Sequence, residues 1–194
     1  MASGVSKRFG TNKLLQKLCN QQLFTYILDS TKKIFPNRVV VTRHEEIAAY
    51  CENHSIPVIL HTLPDRNDTI RLGLSFFKNT PCGCIFCPSD QPLLSEDTLA
   101  AMAEDFSLNP QSIVRLCHNN QKGAPVIFPR ELFDELLTLP PRKGGGFVMQ
   151  KNPDRIRYVS AGNEYELFDV DTPDDLEYLA SKCSALDSNY TGLS

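Results

Sequence analysis

Two distant parts of the chain carry residue types that handle phosphate and metal ions. Between Ala2 and Lys13 the sequence reads A-S-G-V-S-K-R-F-G-T-N-K, so that Gly4 and Gly10 frame Arg8, Lys13 closes the run, and no acidic residue interrupts it. Glycine admits positive φ and has no Cβ, so the amides around Gly4 and Gly10 can turn into a common cavity while Arg8 and Lys13 supply cationic charge. Such a loop suits a polyanionic ligand; the alternative is a glycine-rich surface turn with cations nearby. It lacks P-loop spacing, because no G-K-[S/T] follows. Far along the chain, Asp90 stands in P-S-D-Q-P, and Asp169 and Asp171 flank Val170 just before Thr172 and Pro173. Carboxylates there could hold Mg²⁺, which takes one or two protein carboxylates together with substrate phosphates. The competing explanations are a turn residue at Asp90 and helix capping at Asp169 and Asp171. Taken together, a cationic loop and a dication would neutralise a nucleoside triphosphate while an acceptor attacks its α-phosphate.

The elements that must position these residues alternate. Leu23, Ile27, Leu28 and Ile34 recur at helical spacing and stop before Pro36. Residues 38–42 read as a buried strand, 45–53 as a helix, 57–61 as a strand, 69–78 as a helix and 83–87 as a strand. Ser95 caps a helix reaching about Phe106, with Glu96 and Asp97 in its first turn. Farther on, strands are expected at 112–116, 125–128, 156–160 and 167–170, a helix at 130–137, and a flexible turn at 142–146 before 147–150. A last helix opens at Thr172 and Pro173 and runs to about Cys183. Short apolar strands joined by crossovers of this length predict a mainly parallel sheet covered by helices on both faces. Ligands of such sheets sit beyond the carboxyl ends of the strands, where Asp90 and Asp171 fall.

At 194 residues, with 41% hydrophobic and 22% charged content, the chain suits one domain over 1–184 followed by a frayed tail at 185–194. A net charge of −3 gives no basic field for nucleic acid or an anionic bilayer. No apolar run has the length of a membrane span and no signal peptide is present, which predicts a soluble, cytoplasmic protein. Seven cysteines without a repeating framework argue for reduced thiols. Cys82, Cys84 and Cys87 cluster, but with no second cluster at zinc spacing they read as small hydrophobes sooner than metal ligands. His44, His54, His61 and His118 form no persuasive triad and read as structural or surface residues.

Five segments in order resemble one enzyme family. The opening M-A-S-G-V-S-K-R-F-G-T-N-K-L-L is similar to the first motif of nucleotidyltransferases related to molybdenum cofactor cytidylyltransferase and molybdenum cofactor guanylyltransferase. Residues 63–74 resemble the segment that approaches the base, C-P-S-D-Q-P-L-L the G-D-M-P metal motif, G-A-P-V-I-F the G-x-P strand, and F-D-V-D-T-P-D-D-L the D-I-D-T-P-E-D-L ending. The resemblance implies a three-layer α/β/α fold with a Rossmann-like mixed sheet, of the nucleotide-diphospho-sugar transferase type. It implies Mg²⁺ as cofactor and transfer of a nucleoside monophosphate to a phosphorylated acceptor with release of pyrophosphate. Ala2, Ser3 and Gly4 would lie by the base and ribose, Arg8, Gly10 and Lys13 would bind the triphosphate, and Thr69 would sit near the base. Asp90 would be the principal metal ligand and Asp171 the second, with Asp169 as the alternative.

The D-V-D-T-P ending and the G-A-P strand look more like the cytidylyl branch, which makes CTP and molybdopterin the expected substrates, with a molybdenum hydroxylase as a further partner. Ser89 and Gln91 replace the Gly and Met that usually flank the metal Asp. A loop of this kind normally follows a buried strand, which in the family lies centrally in the sheet, whereas here only Met1 and Ala2 precede it. Met1 therefore reads as an internal methionine of a longer product, the alternative being a compensated sheet. Two other functions stay open: an accessory protein that handles the molybdenum cofactor without turnover, and a nucleotidyltransferase acting on a sugar phosphate.

Overall fold

A computed structural model describes residues 1–3, 9, 12–77 and 82–190, except for the side chains of Arg66 and of residues 183–190. Apolar spacing forms α1 (Leu23–Lys32), whose Leu23, Phe24, Ile27 and Leu28 all turn inward. It leads from a small hairpin of β1 (Lys17–Leu18) and β2 (Gln21–Gln22), with Cys19 at φ 54° in the turn. A βαβ unit follows: β3 (Val40–Thr42), α2 (Glu45–Asn53) and β4 (Val58–Leu60), the two strands pairing in parallel. Next comes α3 (Arg66–Phe76), started by a capping box in which Asp65 and Asp68 satisfy each other's backbone amides.

The second sheet holds β5 (Gly83–Phe86), β6 (Ile113–His118), β7 (Gln121–Pro129) and β8 (Ile156–Ser160) in the order β5-β7-β6-β8. It is mixed: β7 runs antiparallel to both neighbours, whereas β6 and β8 are parallel. Between the strands run α4 (Glu96–Leu108), α5 (Phe133–Leu137) and α6 (Gly145–Lys151), and α7 (Pro173–Tyr190) closes the chain.

Strand alternation makes the three layers. Ile113, Val126 and Phe128 pack with Ile70 and Leu74 of α3, Leu136 of α5 and Val148 of α6, while Val114, Leu116 and Ile127 face the other way onto Ile27 of α1 and Leu99, Met102 and Phe106 of α4. Residues 1–3 link the two sheets. The Ala2 amide donates to Val41 O at 2.9 Å in a parallel bridge, and the Met1 amine donates to Cys87 O at 2.7 Å. Among the described residues no helix is long and apolar enough to cross a membrane.

Two expected elements change. The strand expected at 167–170 is instead a 3-10 turn, Glu164–Leu167, followed by extended chain that makes one cross-link, Val170 N to Asp90 O at 2.9 Å. The turn expected at 142–146 gives way at Gly145 to α6, because Val148 and Met149 gain burial against the α3 and α5 side of the sheet. The last helix also continues past Cys183 to Tyr190.

The first of these changes has a cause in Glu166, whose side chain is buried. Its Oε2 accepts from the Ser95 amide at 3.1 Å and the Ser95 hydroxyl at 2.9 Å, and its Oε1 accepts from the Gly162 amide at 2.9 Å. Ser95 Oγ in turn accepts from Thr98 N, capping α4. Replacing Glu166 by Ala strands three donors, so Glu166→Ala should lose about 2–4 kcal/mol of stability, read as a lower urea midpoint at an unchanged m-value.

Candidate functional site

The site is assembled around Lys13. Asn12 caps a 3-10 turn, Lys13–Leu15, by accepting from Leu14 N at 3.2 Å, and buried Leu14 holds that turn against the core. The Lys13 side chain is thereby drawn inward to 9% exposure, with Nζ at 2.8 Å from Asp90 Oδ2 and 2.8 Å from Asp171 Oδ1. Asp90 arrives from the loop after β5 and Asp171 from the approach to α7, so three distant segments meet at one ammonium.

Each carboxylate is placed by its own backbone. The Val170 amide bonds Asp90 O, joining the two acidic segments. At the start of α7, Asp175 Oδ2 accepts from Asp171 N at 2.9 Å and Thr172 N at 2.7 Å, and the Asp175 amide donates to Thr172 Oγ1 at 3.2 Å. This reciprocal cap fixes the turn that presents Asp171. Asp169 points elsewhere, accepting from Gln91 Nε2 at 2.9 Å. Capping at this helix therefore falls to Thr172 and Asp175.

The electrostatics follow from crowding. Burial alone would lower the Lys13 ammonium, but its hydrogen bonds to Asp171 and Asp90 outweigh that and hold its pKa above the ordinary lysine value. Asp169 is pushed up, first by burial and then by the negative charge of Asp90. Burial would likewise raise Asp175, yet the bonds from Thr172 and from the two amides hold it below the usual carboxylate range.

A divalent ion fits this donor set. Asp90 and Asp171 converge on one cation and keep 27% and 50% of their side-chain surfaces exposed. Among the described residues no group of three or more His, Cys, Asp or Glu is arranged to hold a metal. Two carboxylates completed by substrate phosphates are what Mg²⁺ accepts.

Of the remaining predicted residues, Ala2 is buried in the parallel bridge, and Ser3 Oγ donates to Val41 O at 3.1 Å and lies 2.9 Å from His61 Nε2. With the Ser3 hydroxyl donating to Val41 O, a neutral His61 ring pairs with it by donating through Nε2, and Nδ1 is then a buried acceptor with no hydrogen-bond partner among the described residues. Burial, and after it the Arg43 charge, lowers the His61 pKa and favours that neutral ring. Thr69 is buried on α3 and lines a cavity between β3 and β5. Gly4, Arg8 and Gly10 lie outside the described residues.

Ser89 needs no glycine-like backbone. Positive φ among the described non-glycine residues occurs at Cys19, Ser55, Asn119 and Arg142 alone. The Ser89 hydroxyl donates to Met1 O at 3.0 Å and steadies the turn before Asp90. In the cysteine cluster, burial pushes the Cys84 and Cys87 thiols up to about 12, while Cys82 is exposed.

From sequence Gln91 reads only as a departure from the metal motif, His61 only as a structural or surface histidine, and Asp175 only as an acidic residue in the first turn of the last helix. The T-x-x-D spacing of Thr172 and Asp175 is a capping-box signal that could have found Asp175. Nothing local marks Gln91 or His61, whose partners lie 78 and 58 residues away.

Asp175→Ala should cost about 1 kcal/mol. Because the folded-state pKa of Asp175 is depressed, its contribution is complete above the ordinary Asp value and disappears as pH falls through the lowered one. Urea titrations should therefore show the wild type and Asp175→Ala well separated at neutral pH and converging in acid.

Comparison with known proteins places this geometry. A curated relative, the probable molybdenum cofactor guanylyltransferase of Aquifex aeolicus (strain VF5), is 24% identical over 115 residues, 59% of this chain. The chain spans about half the length of that relative, 55%. Among solved structures, Rv0371c from Mycobacterium tuberculosis H37Rv is similar with TM-score 0.81 and 23% identity, over 93% of this chain and 95% of that one. The same mycobacterial protein in complex with manganese aligns with TM-score 0.74 and 20% identity, over 92% of this chain and 94% of that one. A nucleotidyl transferase from Methanothermobacter thermautotroptrophicus has TM-score 0.79 and 17% identity, over 93% and 94%. These likenesses show the fold, that of the nucleotide-diphospho-sugar transferases. Over residues 1–156 the sequence matches the MobA-like NTP transferase domain, and the chain belongs to that family.

Proposed function

We propose that this protein transfers a nucleoside monophosphate, CMP from CTP in preference to GMP from GTP, to the phosphate of molybdopterin and releases pyrophosphate. The observation that carries this reading is the Lys13 ammonium held between Asp90 and Asp171, a cation and two carboxylates gathered beyond the end of β5. An oxygen of the acceptor phosphate attacks the α-phosphorus in line, the bond to the bridging oxygen breaks, and pyrophosphate carries away the electron pair. The acceptor is already anionic at neutral pH, so no side-chain nucleophile is required, and positioning and charge stabilisation supply the catalysis.

Lys13 can turn from the carboxylates to the triphosphate and offset the charge that builds on the leaving group. Asn12 Nδ2, a buried donor with no hydrogen-bond partner among the described residues, suits a phosphate oxygen. Arg8 and the amides near Gly4 and Gly10 would complete the cradle. Ser3 and His61 border the end of β3, where the base and ribose would lie, with Thr69 and Ala2 behind them. Asp90 and Asp171, with Asp169 in reserve, would hold Mg²⁺, which when bound neutralises phosphate charge. The manganese held by the mycobacterial relative supports a divalent ion, and the name of the Aquifex relative supports the molybdenum cofactor as acceptor. Preference for CTP rests on the D-V-D-T-P and G-A-P residues.

Pyrophosphate release should be measured with CTP, GTP, ATP and UTP against molybdopterin. Turnover is expected with CTP first; Lys13→Ala should lower kcat by about 10²–10³. Asp90→Ala should abolish turnover while nucleotide binding persists. Wild-type protein that binds nucleotide yet turns over none of the four would overturn the reading in favour of a cofactor-handling role.

A further inference from the structure

Val170 is fully buried between Asp169 and Asp171, in chain that runs extended from Phe168. Side chains two apart on such chain share a face, so the backbone alone offers both carboxylates to the same side. Their partners nevertheless differ. Asp171 takes the Lys13 ammonium at 2.8 Å, whereas Asp169 Oδ1 accepts from Gln91 Nε2 at 2.9 Å. Burial, and after it the Asp90 charge, raises the Asp169 pKa, so the turned-away carboxylate stays within electrostatic reach of the site. Gln91 is only 3% exposed. Because a carboxylate only accepts, the amide must turn its nitrogen to Asp169, which leaves Oε1 buried with no hydrogen-bond partner among the described residues. An acceptor enclosed in this way costs stability that an apolar side chain of equal length would not.

We propose that Gln91 is a positioning residue that sets the carboxylate count at the Lys13 site, and with it the choice of metal ion, a role that rests on the proposed reading of Asp90 and Asp171 as the metal ligands. Its amide holds Asp169 aside, so that a divalent ion meets Asp90 and Asp171 without a third carboxylate. The count matters because the ions differ. Mg²⁺ demands octahedral geometry and is served by one or two carboxylates with substrate phosphates, whereas Ca²⁺ takes more oxygens in looser arrangements and gains from each added charge. A third carboxylate would therefore tighten the site for the wrong ion and compete with phosphate for the right one. The backbone puts Gln91 where it can do this. Gln91 follows Asp90 directly, and the Val170 amide bonds Asp90 O at 2.9 Å, so the residues flanking that bond face one another across the two segments. Packing does not account for the amide, since Met would fill the same length without burying Oε1. What the amide adds is the bond to Asp169. Groups that orient carboxylates from behind a metal site shift affinity in this manner.

Binding of Mn²⁺ to the full chain without nucleotide, followed by electron paramagnetic resonance, tests the role, with Mg²⁺ and Ca²⁺ as competitors and thermal melting as a second readout. Gln91→Met should tighten Mn²⁺ about tenfold and favour Ca²⁺ over Mg²⁺ relative to the wild type, while Tm holds or rises. Gln91→Asn, one methylene too short to reach Asp169, should show the same gain in affinity. In an Asp169→Asn background, Gln91→Met should leave Mn²⁺ affinity where it was, because no third carboxylate remains to be released. Unchanged Mn²⁺ and Ca²⁺ affinities in folded Gln91→Met protein, or a gain that survives Asp169→Asn, would overturn the role of Gln91 and leave Asp90 and Asp171 standing as ligands. Weaker Mn²⁺ binding in both Gln91 variants would also overturn it, by showing that the amide presents Asp169 to the metal instead of withholding it. If Asp90→Asn and Asp171→Asn each leave Mn²⁺ binding intact, the reading of the site itself fails and the role of Gln91 falls with it.

Discussion

The ion pair network at Lys13 is the constraint on which the site depends. One ammonium joins the N-terminal turn, the loop after β5 and the approach to α7, segments separated by 77 and 158 residues. Its energetic weight lies between that of an exposed pair, about 0–1 kcal/mol, and the roughly 3–5 kcal/mol lost on breaking a buried one, because Lys13 is enclosed while Asp171 is half open. The cation is enclosed while the anions keep part of their surfaces at solvent.

Around that cluster the sheets act as a frame. Alternating side chains of β6 and β7 feed two separate cores, so that α1 and α4 are pinned on one face and α3, α5 and α6 on the other. Glu166 then ties the start of α4 to the turn before Asp169, and Asp175 ties the start of α7 to Asp171. Both are side-chain anchors for backbone amides, and both place carboxylate-bearing loops without regular strand pairing. Between β3 and β5, residues 1–3 bridge the two sheets through the Ala2 amide and the Met1 amine.

Much of the fold was legible because its signals are local. Ser95 before Glu96 and Asp97 marked a helix start that the structure reproduces, and residues 45–53 form a helix with the expected bounds. What misled was competition from long-range contacts. Residues 167–170 have the apolar alternation of a strand, yet burying Glu166 against Ser95 and Gly162 bends the preceding residues into a 3-10 turn. Residues 142–146 carry three glycines and read as a turn, but packing of Val148 and Met149 starts a helix among them.

By itself the sequence determined the residue chemistry: a lysine closing a glycine-rich run, carboxylates placed after apolar segments, and motif order that points to a MobA-like transferase. These are properties of neighbours in the chain, which local spacing records. Tertiary structure alone decided that Lys13 bonds Asp90 and Asp171 while Asp169 turns to Gln91, that His61 meets Ser3, and that a cavity lies between β3 and β5. Partners so far apart in sequence leave no periodic trace, and which of two aspartates two residues apart receives the cation depends on the direction each side chain takes once the sheet and α7 have packed.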